Sequence, residues 1–411
     1  MTSPRPETPG RQPAAVGLIL LGVVLLAFNL RPAAVSVGPL LAEIRGAVGL
    51  SSAAAGVLTS LPVLAFSGFG ALTPRLARLL GLHRTTLLAV VAVTVGLLGR
   101  VLVPVPLPFL LFSALALAGM AAANVLLPSL IKLHFPKRLG RVTAIYTTAM
   151  AIGLTGALLL TVPVAEALSS WRWGLGVWAV LGLIAAIPWL RLAGQDRGRT
   201  VATGPRAISV SQVARTRLGL AMALFFGLQS MQAYIAFGWY PQLWRDAGYS
   251  PAAASALVAL LAGVSIPLSF VIPGLAARRD DQRAVGFALL ACYPVGFVVL
   301  LIDPYLFAIP AALLLGTGGC VFPLALTLLG LRARTAEGTA SLSSFVQAGG
   351  YLLAGLGPFG FGWLHNVTGG WQVPLIVLLV LVAPLALLMS YIGRPALIED
   401  QISTPPPESA R

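Results

Sequence analysis

Long runs of apolar residues recur along the whole chain, and they limit the fold more than any other feature. Of the 411 residues, 58% are hydrophobic and only 9% are charged, whereas about a quarter of the residues of a soluble globular protein carry charge. A run of about 20 apolar residues is long enough to cross a bilayer as a helix. The sequence therefore predicts an integral membrane protein built from helices.

Twelve such runs predict an all-α membrane fold of twelve transmembrane helices in two pseudo-symmetric six-helix bundles. We expect the bundles at 14–191 and 216–393, joined by a polar linker at 192–215. The N-terminal tail is then 1–13 and the C-terminal tail 394–411, where three consecutive prolines favour disorder. The predicted helices span approximately 14–41, 51–72, 85–103, 108–133, 142–168, 171–191, 216–244, 250–276, 284–302, 304–331, 338–364 and 371–393.

The loops alternate in charge. Basic residues are concentrated in the linker and in the loops after even-numbered helices, as at 75–84 and 137–141, whereas the other loops carry few. Because loops rich in Lys and Arg stay in the cytoplasm, we expect both termini to be cytoplasmic in a multi-pass cell-membrane protein. This topology also explains the net charge of +15, so we expect lipid and no nucleic acid as the macromolecular surroundings.

A repeat at an offset of 199 residues relates the two bundles. Residues 49–55, GLSSAAA, match 248–254, GYSPAAA, and the same offset pairs Pro74 with Pro273. Ser250 followed by Pro251 is typical of a helix N-cap and first turn. The repeat indicates two homologous halves.

Four segments carry a resemblance to a known family. They are NLRP and SVGP within 29–39, NVLLPSLIK at 124–132, FFGLQS at 225–230, and GLRA at 330–333 followed by Gln347 and the GY pair at 350–351. In a duplicated six-plus-six chain, they resemble the cyanate and 2-nitroimidazole transporter family of the major facilitator superfamily. The resemblance implies alternating access, a functional monomer and a small anionic or weakly acidic substrate. At 70–75, GALTPR stands where the superfamily has a signature motif, without the acidic residue of that motif.

Arg31 lies inside the first apolar run, where a charged side chain costs at least about 2.5–3.5 kcal/mol. It is the only charged residue that we place near a helix centre, and we expect no Asp or Glu at its depth. A guanidinium can give two parallel hydrogen bonds to a planar anion, so we predict that Arg31 is the central anion-binding residue. The alternative is a structural role in which Arg31 bonds backbone carbonyls.

Pro32 follows Arg31 directly and has no amide hydrogen, so we expect it to break the helix around Phe28 and Asn29. On a regular helix Asn29 would point about 200° away from Arg31. Only a distorted helix would place both side chains in one cavity.

Other candidates are polar residues near mid-helix, because such carriers bind substrate at the midplane between their halves. Each has interhelical bonding or packing as its alternative role. The predicted substrate-binding residues are Arg31, Asn29, Asn124, Gln229, Tyr234, Gln347 and Tyr351, and the predicted gating residues are Lys132, Pro32 and Pro128.

The chain has no nucleotide-binding loop, metal-ligand spacing or nucleophile constellation, so we expect neither enzymatic activity nor a cofactor. We interpret His83 and His134 as solvated loop residues outside any cluster. The mode of transport stays open between proton co-transport, exchange and facilitated export. A drug or nitroaromatic efflux carrier of the same fold, or a transport-inactive membrane sensor, is the alternative function.

Overall fold

The computed structural model describes residues 13–50, 52–196 and 208–402, and every regular element in these ranges is a helix. The first half contains α1 Pro13–Asn29, α2 Pro32–Val35, α3 Leu41–Val48, α4 Ser52–Leu80, α5 Leu82–Leu102, α6 Pro106–His134, α7 Leu139–Ala167 and α8 Trp171–Leu192. After the short α9, Val210–Val213, the second half contains α10 Arg217–Asp246, α11 Pro251–Ala277, α12 Arg283–Leu290, α13 Cys292–Ile302, α14 Ala308–Gly319, α15 Val321–Leu331, α16 Ala336–Thr368, α17 Gln372–Val380, α18 Val382–Ile392 and α19 Ile398–Ile402.

The twelve predicted crossings are present. Within the described chain, ten helical spans are long and apolar enough to cross a membrane, and four of them combine two consecutive helices: α1 with α2, α12 with α13, α14 with α15, and α17 with α18. The other two crossings are α4 and α16, whose 29 and 33 residues exceed the length needed at about 1.5 Å per residue. The all-α fold in two halves is confirmed.

Glycines make the turns before α4 and α11, at equivalent positions of the repeat. Gly49 and Gly248, which the offset of 199 residues pairs, have φ angles of 73° and 111°. Residues other than glycine rarely adopt these backbone angles. The Ser250 side chain accepts a hydrogen bond from the Ala253 N–H at 3.2 Å, which confirms the predicted cap, while Ser51 lies outside the described residues. One boundary was wrong, because α4 continues through the predicted loop to Leu80 and the chain turns at Gly81.

The two halves pack through α7 against α11 and through α4 against α16. We call the side of the membrane where the linker joins the halves the linker side, and the opposite side the far side. Buried aliphatic and aromatic side chains fill each half, whereas the outer surface exposes large apolar ones such as Leu160, Phe359 and Leu387. Such a surface suits contact with lipid tails.

The C-terminal tail is docked on the second half as far as Ile402, so the expected disorder is wrong for residues 394–402. Ile398 is fully buried, and the Gln401 side chain accepts a hydrogen bond from the Leu218 N–H at 3.0 Å. Asp400 forms a salt bridge with Arg334 at 2.5 Å. Residues 403–411 lie outside the described part of the chain.

Arg332 explains why the tail is held there. Its carbonyl accepts a hydrogen bond from the Ile398 N–H at 2.9 Å, and its guanidinium donates to the Ile392 carbonyl and to Gln282. Burial lowers the pKa of Arg332 to about 10, so the side chain stays charged at neutral pH and needs these acceptors.

The expectation for two histidines was also wrong. His83 at the start of α5 is buried, and its Nε2 lies 2.8 Å from Nε2 of His134 at the end of α6. Because a single hydrogen bond joins two ring nitrogens, one imidazole donates and the other accepts. The pair fastens α5 to α6 on the linker side.

Candidate functional site

A cavity of about 380 Å³ lies between the two halves. Its walls combine side chains of the first half, such as Arg31 and Phe66, with side chains of the second, such as Gln229, Phe322 and Tyr351. This volume falls in the range of about 300–1,000 Å³ typical of sites for small organic molecules. The position between the halves agrees with the midplane site that the sequence predicts.

Arg31 reaches this cavity from a break in the first crossing. Helix α1 ends at Asn29 and α2 begins at Pro32, so the helix is interrupted where Pro32 predicts it. The Arg31 side chain is half-buried, and its Cζ lies 5.2 Å from the centre of the Phe322 ring. Among the described residues it forms no salt bridge, which leaves its charge available to a ligand.

Tyrosine hydroxyls surround the guanidinium. Tyr146, Tyr234 and Tyr351 all interact electrostatically with Arg31. The Tyr146 hydroxyl is buried, has no hydrogen-bond partner among the described residues and lies outside the cavity lining. Tyr351 lines the cavity, and its buried hydroxyl lies within hydrogen-bond reach of the Arg31 side chain. Tyr234 and Tyr351 are therefore the tyrosines that share the cavity with Arg31.

The predicted residues of the second half divide into two groups. Gln229, Tyr234 and Tyr351 line the cavity, and Gln229 Nε2 donates to the Phe226 carbonyl at 3.0 Å and to Ser230 Oγ at 2.6 Å. Gln347 lies outside the lining.

The three predicted amides outside the cavity lining occupy contacts between helices. Asn29 is buried beside Gly182 of α8, with both amide atoms unpartnered among the described residues. Gln347 Nε2 donates to the Asn124 carbonyl at 3.3 Å and to Ser343 Oγ at 2.7 Å. In this arrangement Asn29, Asn124 and Gln347 do not face a ligand in the cavity.

Hydrogen bonds join the two halves on the linker side of the cavity, and a further bond joins two residues of the cavity wall. The predicted gating residue Lys132 takes part in one of them, and Pro128 lies one turn before it in α6. Pro32 is buried at the start of α2. The bonded pairs are Lys132 Nζ with the Gly330 carbonyl at 3.1 Å, Ser344 Oγ with the Gly70 carbonyl at 2.7 Å, Gln347 with Asn124 as above, and Thr147 Oγ1 with the Ser269 carbonyl at 3.1 Å.

Sequence reasoning missed a second membrane arginine. Arg100 of α5 is 1% exposed, and it donates to the Ala33 carbonyl at 3.1 Å and to Ser36 Oγ at 3.0 Å. The Ser36 hydroxyl in turn donates to the Pro32 carbonyl at 2.6 Å. Arg100 therefore holds the segment that follows Arg31 in place.

Replacing Arg100 with Met is expected to lower the free energy of unfolding by about 1–3 kcal/mol, because the acceptor atoms of Ala33 and Ser36 then lack a donor inside the protein. The measurement is thermal unfolding in detergent, with Arg191→Met, an exposed arginine at the end of α8, as the matched control. Equal melting temperatures for the two variants would contradict this role.

Sequence reasoning also left several lining residues out of the predicted site. Phe66 and Phe322 line the cavity, as does Gln232, whose two amide atoms are buried and unpartnered among the described residues. One signal was present, since the Phe322-Pro323 pair resembles Leu127-Pro128 of the first half. The described residues contain no group of three or more His, Cys, Asp or Glu side chains that could hold a metal ion.

Residues 17–346 match the sequence pattern of the Major Facilitator Superfamily. The chain belongs to this superfamily. Its fold agrees, since the structure superposes on the proton:xylose symporter XylE bound to 6-bromo-6-deoxy-D-glucose with a TM-score of 0.75, covering 95% of this chain and 98% of that one at 13% identity. At this identity the likeness shows the major facilitator fold alone.

Three relatives within the superfamily are similar over most of their length. The uncharacterized transporter YycB of Bacillus subtilis is 36% identical over 88% of this chain and 90% of its own. The 2-nitroimidazole transporter of Escherichia coli is 35% identical over 92% and 94%, and the cyanate transport protein CynX of Escherichia coli is 27% identical over 86% and 91%. The family that the sequence segments resemble is thereby confirmed.

Proposed function

We propose that this chain is a secondary transporter that moves a small anionic or weakly acidic solute across the cell membrane, with Arg31 as the central anion-binding residue. One observation carries the proposal: Arg31 is the single charged side chain among the described residues that line the cavity. A guanidinium held in a site with few waters attracts an anion more strongly than it does in bulk solvent.

The substrate is oriented by the polar groups around Arg31. Gln229, Tyr234 and Tyr351 share the cavity with it, and the Tyr351 hydroxyl, which lies beside the guanidinium, can donate to a second oxygen of the anion. Asn29, Asn124 and Gln347 act instead through the helix contacts that shape the cavity.

Transport occurs by alternating access in a monomer within the lipid bilayer. The hydrogen bonds between the halves lie on the linker side, while Val37, Gly38 and Tyr240 extend the cavity toward the far side. Opening the linker side requires breaking the bond between Lys132 and Gly330, with Pro32 and Pro128 as neighbouring points of helix flexibility. The basic loops favour a cytoplasmic location for this side and for both termini.

The energetics limit how the carrier is driven. An anion that enters a cell with a negative interior is opposed by about 2.3 kcal/mol per charge per 100 mV. The described lining has no carboxylate to carry a proton. Uptake therefore requires a proton that travels with the substrate, or exchange, whereas export needs neither.

The test is uptake by proteoliposomes together with a thermal-shift screen of small anions against lipophilic cations. Saturable uptake of an anion, and stabilisation by anions alone, are the expected results. Stabilisation by lipophilic cations alone would replace the proposal with a drug efflux carrier of the same fold.

A further inference from the structure

The walls next to Arg31 are aromatic. Seven of the 32 described lining residues are Phe or Tyr, against an aromatic share of 8% in the whole chain. The rings of Phe66 and Tyr351 lie 4.0 Å apart, and Phe226 packs edge-on to Tyr351 at 5.1 Å. With Phe322 at 5.2 Å from Arg31 Cζ, aromatic surface begins directly beside the guanidinium.

The donors at this point fit a carboxylate. Arg31 supplies a planar fork of N–H groups, which binds two oxygens at once. Tyr351 lines the cavity beside the same guanidinium and adds a hydroxyl to this group of donors. Among the described lining residues, Arg31 is a cation and none is an acid, so the site balances a ligand that carries a single negative charge.

The size of the cavity favours a ring over a very small anion. Cyanate has only three heavy atoms, and a water molecule occupies about 30 Å³ of the liquid, so cyanate would leave most of the 380 Å³ unfilled. Apolar residues such as Met120, Met150 and Leu154 line much of the remaining wall. These side chains can bury the hydrocarbon part of a substrate, but they cannot stabilise a second charged group.

We propose that the substrate is an aromatic monocarboxylate of the benzoate class, with its carboxylate on Arg31 and its ring against Phe322 and Tyr351. This inference rests on the proposed function and narrows its substrate. Aromatic rings favour edge-to-face and offset contacts with other aromatic rings, and both residues line the cavity with Arg31, with the centre of the Phe322 ring 5.2 Å from Arg31 Cζ.

The experiment measures equilibrium binding of benzoate, cyclohexanecarboxylate and acetate to the purified full chain in detergent at neutral pH, by calorimetric titration. Cyclohexanecarboxylate carries the same charge and is at least as apolar as benzoate, so burial alone does not favour benzoate over it. We expect benzoate to bind about tenfold more tightly than cyclohexanecarboxylate, and acetate to bind more weakly than both.

Two variants test whether the aromatic wall of the cavity causes the preference for benzoate over cyclohexanecarboxylate. Phe322→Leu is expected to bring the affinities for benzoate and cyclohexanecarboxylate close to each other, while its binding of cyclohexanecarboxylate shows that the site is still folded. Phe359→Leu is the matched control, because Phe359 of α16 is 72% exposed on the outer surface, and it keeps the wild-type ratio.

The outcomes separate this inference from the proposed function. If the wild type bound benzoate and cyclohexanecarboxylate equally, and Arg31→Gln bound neither, the aromatic preference would be overturned. The proposed anion carrier would still stand. Failure of benzoate to bind at all would overturn the substrate class. Binding of all three acids that is unchanged by Arg31→Gln would overturn the proposed function as well.

Discussion

Replacing Arg31 with Gln is expected to lower the specificity constant for transport of an anion by about 30- to 5,000-fold, because removing one partner of a buried charge pair costs about 2–5 kcal/mol. Gln keeps a polar side chain of similar reach but has no charge to offer. The measurement is initial uptake into proteoliposomes over a range of substrate concentrations.

Thermal unfolding separates this effect from misfolding. Arg31 has no carboxylate partner among the described residues, so its removal breaks no ion pair, and the melting temperature of Arg31→Gln is expected to equal or exceed that of the wild type. Arg31→Lys keeps the charge without the planar fork and is expected to lose less. A folded Arg31→Gln protein with undiminished uptake would eliminate Arg31 as the anion receptor.

The second large effect is expected from Gly153→Ala in α7. A methyl group at Gly153 would lie 2.1 Å from the Phe28 carbonyl oxygen, which is backbone at the end of α1 and directly precedes the break that carries Arg31. Overpacking of this kind costs about 1–3 kcal/mol, and more where backbone must move. We expect both a lower melting temperature and weaker substrate binding.

Gly156→Ala is the matched control on the same helix, because nothing lies within 4 Å of the position that its methyl group would take. Alanine favours a helix over glycine by about 0.5–1 kcal/mol, so this variant is expected to be as stable as the wild type or more so. Loss of stability in both variants would show that the effect of Gly153→Ala is not its contact with Phe28.

Local chemistry made part of the structure predictable. Pro32 fixed the position of the helix break because its missing amide hydrogen acts within one turn. Ser250 followed by Pro251 predicted the helix cap for the same reason. Such features depend on neighbours in the sequence, which a sequence shows directly.

Features that depend on how helices face each other were harder to predict. Gln347 and Tyr351 are four residues apart in α16, yet Tyr351 lines the cavity while Gln347 bonds α6. Sequence reasoning expected both in the cavity, because residues four apart share a helix face. Gln347 lies one turn nearer the linker side, where α16 packs against α6, and this difference in depth separates their roles. His83 and His134 are 51 residues apart, so only the packing of α5 on α6 brings them together.

Phe66 and Phe322 were missed for a different reason. An aromatic residue in an apolar helix can contact lipid, the protein core or a cavity. The sequence does not distinguish these three environments, because the same residue type suits all of them. Polar residues attract notice in such helices because they are costly there. Phe66 and Phe322 therefore became visible as site residues only in the three-dimensional arrangement, whereas Tyr234 and Tyr351 were already predicted from their polar hydroxyls.

Arg31 is the single charge among the described lining residues, and this has an electrical consequence for the proposed carrier. A monovalent anion would neutralise Arg31, so the loaded site would move between the two sides without net charge, while the empty site would move with one positive charge. A potential of 100 mV acts on that charge with about 2.3 kcal/mol, so voltage controls the return of the empty carrier. Exchange of one anion for another cycles only loaded forms and is then electrically silent, whereas net transport carries current.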